Sequence, residues 1–311
     1  MSDGSDVIYV YDDTFEGLMT AVFEAYARRP APESVTGRAH CQQLLGRRYI
    51  DIGTDIAKAE RVIAGIQRKM GQDSYAALWS AFQSEAIGVG DLLYQYIRLG
   101  MAVGPRIQQR ITDERVIAVN KLAGLVGREA GLLIEFVRFS KMEGGVYYGE
   151  ITPQYNVLAQ IMPHFAERFS IQPFLIRDKN RQIAGVFDTR EWWITSTESM
   201  QVPDVEEDER AWRQMWRAFY DTIAIKERVN LNLRRNHMPK KYWKNMTEMI
   251  PDIRPDPVQA ERQKMPLPSE CRGGLGPDGR PVFADRASKP PARALSAALS
   301  RNREIRKEAS R

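Results

Sequence analysis

The chain has 311 residues, 43% apolar and 27% charged, the profile of an ordinary folded protein long enough for about two domains. Its net charge of +5 belongs to one end: residues 251–311 hold 13 Lys and Arg against 8 Asp and Glu, leaving 32 of each sign in 1–250. A neutral body cannot be read as one broad polyanion footprint, and two cysteines exclude a disulfide scaffold, an iron–sulfur cluster or a Cys-rich zinc site built by this chain alone.

Val7-Ile-Tyr-Val-Tyr11 is β-prone and ends at Asp12-Asp13. Asp13 and Glu16 have capping-box spacing, with Phe15, Leu18, Met19, Val22, Phe23 and Tyr26 along one face of the helix that follows, which Pro30 should end. A second helix is predicted over 54–69, with Thr54 as cap and Ile56, Ala59, Ile63 and Ile66 inward. A third covers 74–99, kinked near Gly88 and Gly90, and a fourth covers 113–130. The first 130 residues therefore read as mainly helical.

The period then changes. Glu135–Phe139 and Val146–Ile151 are short β runs around Gly144-Gly145, a hairpin signal. A helix over 154–169 contains Pro163, which should kink or divide it. Strands at 174–177, 183–187 and 192–195 follow, with turn chemistry at Asp178-Lys-Asn180 and Asp188. A long helix is expected over 207–228. The predicted class is α+β: a helical part, 1–130, then a small antiparallel sheet flanked by helices, 131–250, in a single domain. Nine of the 17 prolines lie beyond residue 250, so 251–311 reads as a disordered basic tail with a helical pattern near 292–309. No run of about 18 apolar residues appears and the first residues are acidic and polar, so a cytoplasmic protein without a membrane span is expected.

Little in the sequence names a reaction. His40, His164 and His237 have no metal-motif spacing, and no phosphate-cradling glycine motif occurs, so neither a metal nor a cofactor is expected. The acidic run Asp204–Glu209 reads as the start of a helix, where carboxylates complement the dipole, with Trp212, Met215, Trp216, Phe219, Tyr220 and Ile223 at core spacing behind it. Residues 226–244 stand out, with 7 basic residues against Glu227 alone. Pro239 suits the first turn of a final helix whose Tyr242, Met246, Met249 and Ile250 share one face, with Lys240, Lys241 and Lys244 on the other. Two readings stay open: a solvated face neutralised by the acidic run, or a phosphate-binding surface of Arg234, Arg235, Lys240, Lys241 and Lys244, with Asn236 and His237 nearby and Arg138 in support.

Met238-Pro-Lys-Lys-Tyr-Trp-Lys-Asn-Met-Thr-Glu248 resembles the closing motif of a bacterial family labelled DNA repair or DNA metabolism protein. Tyr11–Tyr26 is similar to that family's opening. Phe136–Phe139, Tyr147-Tyr148, Ile151–Leu158 and His164-Phe165 resemble its middle, so the likeness runs in order over 7–250. Where family members carry a His-Arg pair before the Phe-Val-Arg-Phe strand, this sequence reads Arg128-Glu-Ala-Gly-Leu-Leu-Ile134. The resemblance implies an accessory protein in DNA repair or modification, with DNA and a radical-SAM protein, or a glycosylase-like one, as partners. Radical chemistry would then belong to the partner. Two alternatives are an enzyme acting on a base or nucleotide, with Tyr148, Glu150, Asn156 and His164 lining a pocket, and a scaffold that recruits a partner through 207–250 without touching nucleic acid.

Overall fold

The computed structural model describes residues 7–28, 31–42, 45–198, 209, 212–216, 219 and 231–249. The chain divides into two compact units: everything up to Glu135 together with Thr152–Phe165, and Phe136–Ile151 together with the chain from Ala166 onward.

In the first unit β1 (Val7–Tyr11) is central, because its buried Tyr9, Val10 and Tyr11 allow cover on both faces. It pairs in parallel with β2 (Ser34–Gly37) on one side and β3 (Arg48–Asp51) on the other, in the order β2-β1-β3. Parallel neighbours need a crossover, and α1 (Phe15–Ala27) supplies the one between β1 and β2. The cap of α1 is Thr14 rather than Asp13: the Thr14 hydroxyl accepts from Gly17 N–H at 2.9 Å, while Asp13 takes a left-handed φ of 63° and accepts from Ala39 N–H. Similarly, α2 (Ile56–Met70) is capped by Asp55, one residue after the expected Thr54, which turns Ile56 outward while Ala59 and Ile66 are buried. The predicted long third helix is two, α3 (Gln72–Phe82) and α4 (Val89–Val103), divided by a turn in which Glu85 and Gly88 both have positive φ. Helix α5 (Glu114–Phe136) runs past the expected end and absorbs Glu135 and Phe136. These helices enclose one apolar core in which Leu18, Met19, Ile66, Leu78, Leu93 and Ile97 are fully sequestered.

Residues 152–165 close this unit. Tyr155 N–H donates to the buried Glu129 carboxylate at 2.7 Å, Asn156 N–H to Gln83 O at 3.0 Å, and Gln160 Nε2 to Ser80 Oγ at 3.1 Å. Helix α6 (Leu158–Arg168) buries Leu158, Ile161 and Met162 and contains the exposed Pro163 without being divided by it.

In the second unit, β4 (Phe139–Lys141) and β5 (Tyr147–Ile151) form the expected hairpin around Gly144 and Gly145, both at positive φ. Gly149 faces Phe139 across it, and a Cβ there would stand 3.3 Å from the Phe139 ring, so the missing side chain makes room for the ring. The sheet order is β4-β5-β6-β7-β8, with β6 (Phe174–Asp178), β7 (Ile183–Phe187) and β8 (Trp192–Ser196). It is mixed rather than antiparallel: β5 and β6 run parallel because the connection between them carries α6 and returns the chain to the same end. Phe139, Phe169, Phe174 and Phe187 pack ring to ring at 4.8–5.8 Å. Asp178, fully buried, organises the β6–β7 turn by accepting from Asn180 N–H and from the Arg181 guanidinium at 3.0 Å; burial raises its pKa despite that partner.

Residues 212–216 are helical, in keeping with the helix read over 207–228, of which 209, 212–216 and 219 are among the described residues; the tail 251–311 lies outside them. Next come α7 (Leu231–His237) and two 3-10 turns, Lys240–Asn245 and Thr247–Met249. No helix among the described residues is long and apolar enough to cross a membrane, and no three His, Cys, Asp or Glu side chains among them gather as metal ligands.

Candidate functional site

Lys226 and Arg228 of the basic stretch lie outside the described residues; its closing part folds as an anchored turn. Pro239, with φ at −57°, precedes a 3-10 segment instead of the expected α-helix. Trp243 Nε1 donates to Met238 O at 2.9 Å, closing the loop over the proline, and Asn245 Nδ2 donates to Glu150 O at 3.0 Å, tying the turn to β5. Tyr242 and Met246 are buried, and the Tyr242 ring packs 5.7 Å from that of Phe136. With three residues per turn, positions three apart eclipse one another. Lys241 and Lys244 therefore share an edge, while Lys240 joins Trp243, its Nζ 6.0 Å from that ring. All three lysines are exposed, as are Arg235 and His237 on α7. Arg234 is half-buried, with Nη1 3.9 Å from Met249 Sδ. Arg235, Lys240 and Lys244 form no ion pair among the described residues.

Arg138 differs. Its Nη2 lies 2.6 Å from Glu248 Oε1, and the Glu248 side chain is only 2% exposed. Burial alone would raise the Glu248 carboxyl; hydrogen bonds from Arg138 and Trp216 outweigh it and hold the group below the usual glutamate range. Arg138 is thus committed to an internal pair. It also lines a cleft.

That cleft encloses about 720 Å³ and is bounded by Arg138, Trp212, Arg213, Trp216, Phe219 and Thr247, among others. Trp212 is 59% exposed, Phe219 54% and Trp216 43%, so these members of the apolar stripe expected to be core face outward, while Tyr220 and Ile223 lie outside the described residues. Periodicity marks a stripe but not which way it points, and no signal in the sequence separates these rings from core residues.

The four residues weighed as a catalytic set are distributed over both units. Tyr148 and Glu150 stand on β5, where Tyr148 Oη donates to Glu150 Oε2 at 3.2 Å and Lys179 Nζ pairs with Glu150 Oε1 at 3.0 Å. Burial, then the nearby Glu150 charge, raises the Tyr148 phenol. Asn156 and His164 belong to the first unit; His164 is exposed and lies edge-on to Phe165. In the same unit, Asp12 closes the end of β1 by accepting from Thr14 Oγ1 at 2.6 Å and Thr54 Oγ1 at 2.7 Å, so its polar groups satisfy one another.

Comparison with known families matches residues 88–248 to DUF4130, described as a domain of unknown function. The chain belongs to this DUF4130 family. The match spans the hairpin, the cleft and the basic turn, and Tyr11–Tyr26 lies outside it. No curated protein matches the chain.

Proposed function

We propose that this DUF4130 protein is a nucleic-acid-binding accessory factor of DNA repair or modification that works beside a radical-SAM or glycosylase-like protein. One observation carries the binding half of this reading: Arg235, Lys240, Lys241 and Lys244 are exposed within ten residues, on a backbone fixed by the Trp243 and Asn245 hydrogen bonds. A cluster of exposed cations suits the phosphates of a polyanion, where each contact releases a counterion and makes affinity fall with salt. The repair half rests on the likeness of Tyr11–Tyr26, Phe136–Leu158 and Met238–Glu248 to the DNA-metabolism family, and two cysteines leave any radical-SAM cluster to the partner.

The test is a titration of labelled DNA between about 50 and 200 mM salt, a range over which phosphate-dominated binding weakens by orders of magnitude. Charge reversal at Lys240, Lys241 and Lys244 should weaken binding and lower the slope of log K against log salt by about three, roughly one for each lost contact. Unchanged binding in a folded triple variant would remove the assignment. Affinity copurification at low salt tests the partner, and recovery without any radical-SAM or glycosylase-like protein counts against that half.

A further inference from the structure

We infer that the aromatic cleft receives an unpaired nucleobase, so that the polyanion bound by this chain is a single strand. The inference deepens the nucleic-acid reading above and depends on it. Trp216 is gripped by its edge: Nε1–H donates to Glu248 Oε2 at 3.3 Å, and Glu248 is itself fixed by Arg138 at 2.6 Å. The Trp216 residue as a whole remains 43% exposed. Phe219 lies 5.8 Å away with its ring tilted 32° from the indole, and Trp212 stands one helical turn before Trp216. Arg213, held by Glu209 at 3.2 Å and by Ser140 Oγ, adds a planar guanidinium. An indole and a guanidinium already held by hydrogen bonds lose little freedom when a flat group stacks on them.

The chemistry selects the occupant. A base has a π-face whatever its identity, and aromatic side chains use it only when the base is unstacked. A duplex hides those faces in its own stack. Charge complementarity points the same way, because Lys244 precedes the cleft residue Thr247 by three positions, so their Cα atoms are at most about 11 Å apart. A strand with one base in the cleft thus brings its phosphates to the lysine turn.

The experiment uses the full chain with fluorescein-labelled oligothymidylate and a duplex of equal length, followed by anisotropy and by intrinsic tryptophan emission. The single strand should bind on the order of ten-fold more tightly than the duplex and quench the emission. Trp212→Ala removes an exposed ring with little structural role and should weaken single-strand binding on the order of ten-fold, leaving duplex binding and the salt slope as they were. Trp216→Phe keeps a ring but loses the Nε1–H and should give a smaller loss. Equal binding of both forms, with emission unquenched and Trp212→Ala matching the parent, overturns the inference and leaves the proposed function standing; a peptide or protein partner would then be the occupant. Failure to bind either form overturns both.

Discussion

The two units treat aromatic side chains in opposite ways. The first takes Tyr9, Phe15, Tyr94 and Tyr96 out of water and is organised around them. The second packs a phenylalanine cluster around buried Phe174 and Phe187 but leaves Trp212, Trp216 and Phe219 exposed, with Trp216 hydrogen-bonded to the Glu248 carboxylate. Burial is the default use of large apolar rings, and a set left exposed while one of them is hydrogen-bonded in place indicates a surface kept for contact. The contrast separates residues that hold the fold from residues available to a partner.

The sharpest way to break this comparison is to remove packing from the first unit. Leu18→Ala, at a fully buried position, should cost about 3 kcal/mol in a denaturant melt and leave nucleic-acid affinity unchanged in the folded fraction. Arg138→Ala attacks the second unit through its polar tether and should cost about 3 kcal/mol at neutral pH, because the Glu248 carboxylate is left buried without its cation. The pH dependence carries the sign. In the parent, Glu248 titrates below its ordinary value, so its contribution is present above about 4.5 and is lost as the pH falls through the lowered value. In the variant the hydrogen bonds and charge from Arg138 are gone while burial still raises that carboxyl against the remaining Trp216 and backbone bonds, so the deficit should shrink on acidification; a deficit constant from neutral pH to acid would refute the pairing as its source. Thr14→Ala, which removes the α1 cap, should cost about 1 kcal/mol. Smallest of all, the Lys240, Lys241 and Lys244 reversals should change the unfolding free energy by no more than about 0.5 kcal/mol each, since all three side chains are exposed.

Much of the architecture is legible in residue order. The hairpin at Gly144-Gly145, the strands of the meander and the change of period near residue 135 follow from glycine punctuation and β-branched or aromatic runs. β2 and β3 were not legible: they are four residues each, contain Ser34, Thr36, Arg48 and Asp51, and exist because β1 offers them an edge on either side. The caps moved by one residue since Asp, Thr and Asp-Thr pairs offer adjacent oxygens, and only the backbone decides which one meets a free N–H. At the candidate site the lysines were legible as a charge run. Arg138 meeting Glu248 across 110 positions was not, nor was the outward turn of the tryptophans, because both depend on contacts that no local pattern encodes.

The first unit is completed by a segment that comes after part of the second. Tyr155, Asn156 and Gln160 bond to Glu129, Gln83 and Ser80, while the β4–β5 hairpin, encoded between them, belongs elsewhere. On the ribosome, at about 5–20 residues per second, the nascent helices must wait for codon 165 with the hairpin already emerged. A truncation at residue 135 would therefore yield an open core rather than a free-standing piece, and any shortened gene for this protein should be cut beyond that returning segment.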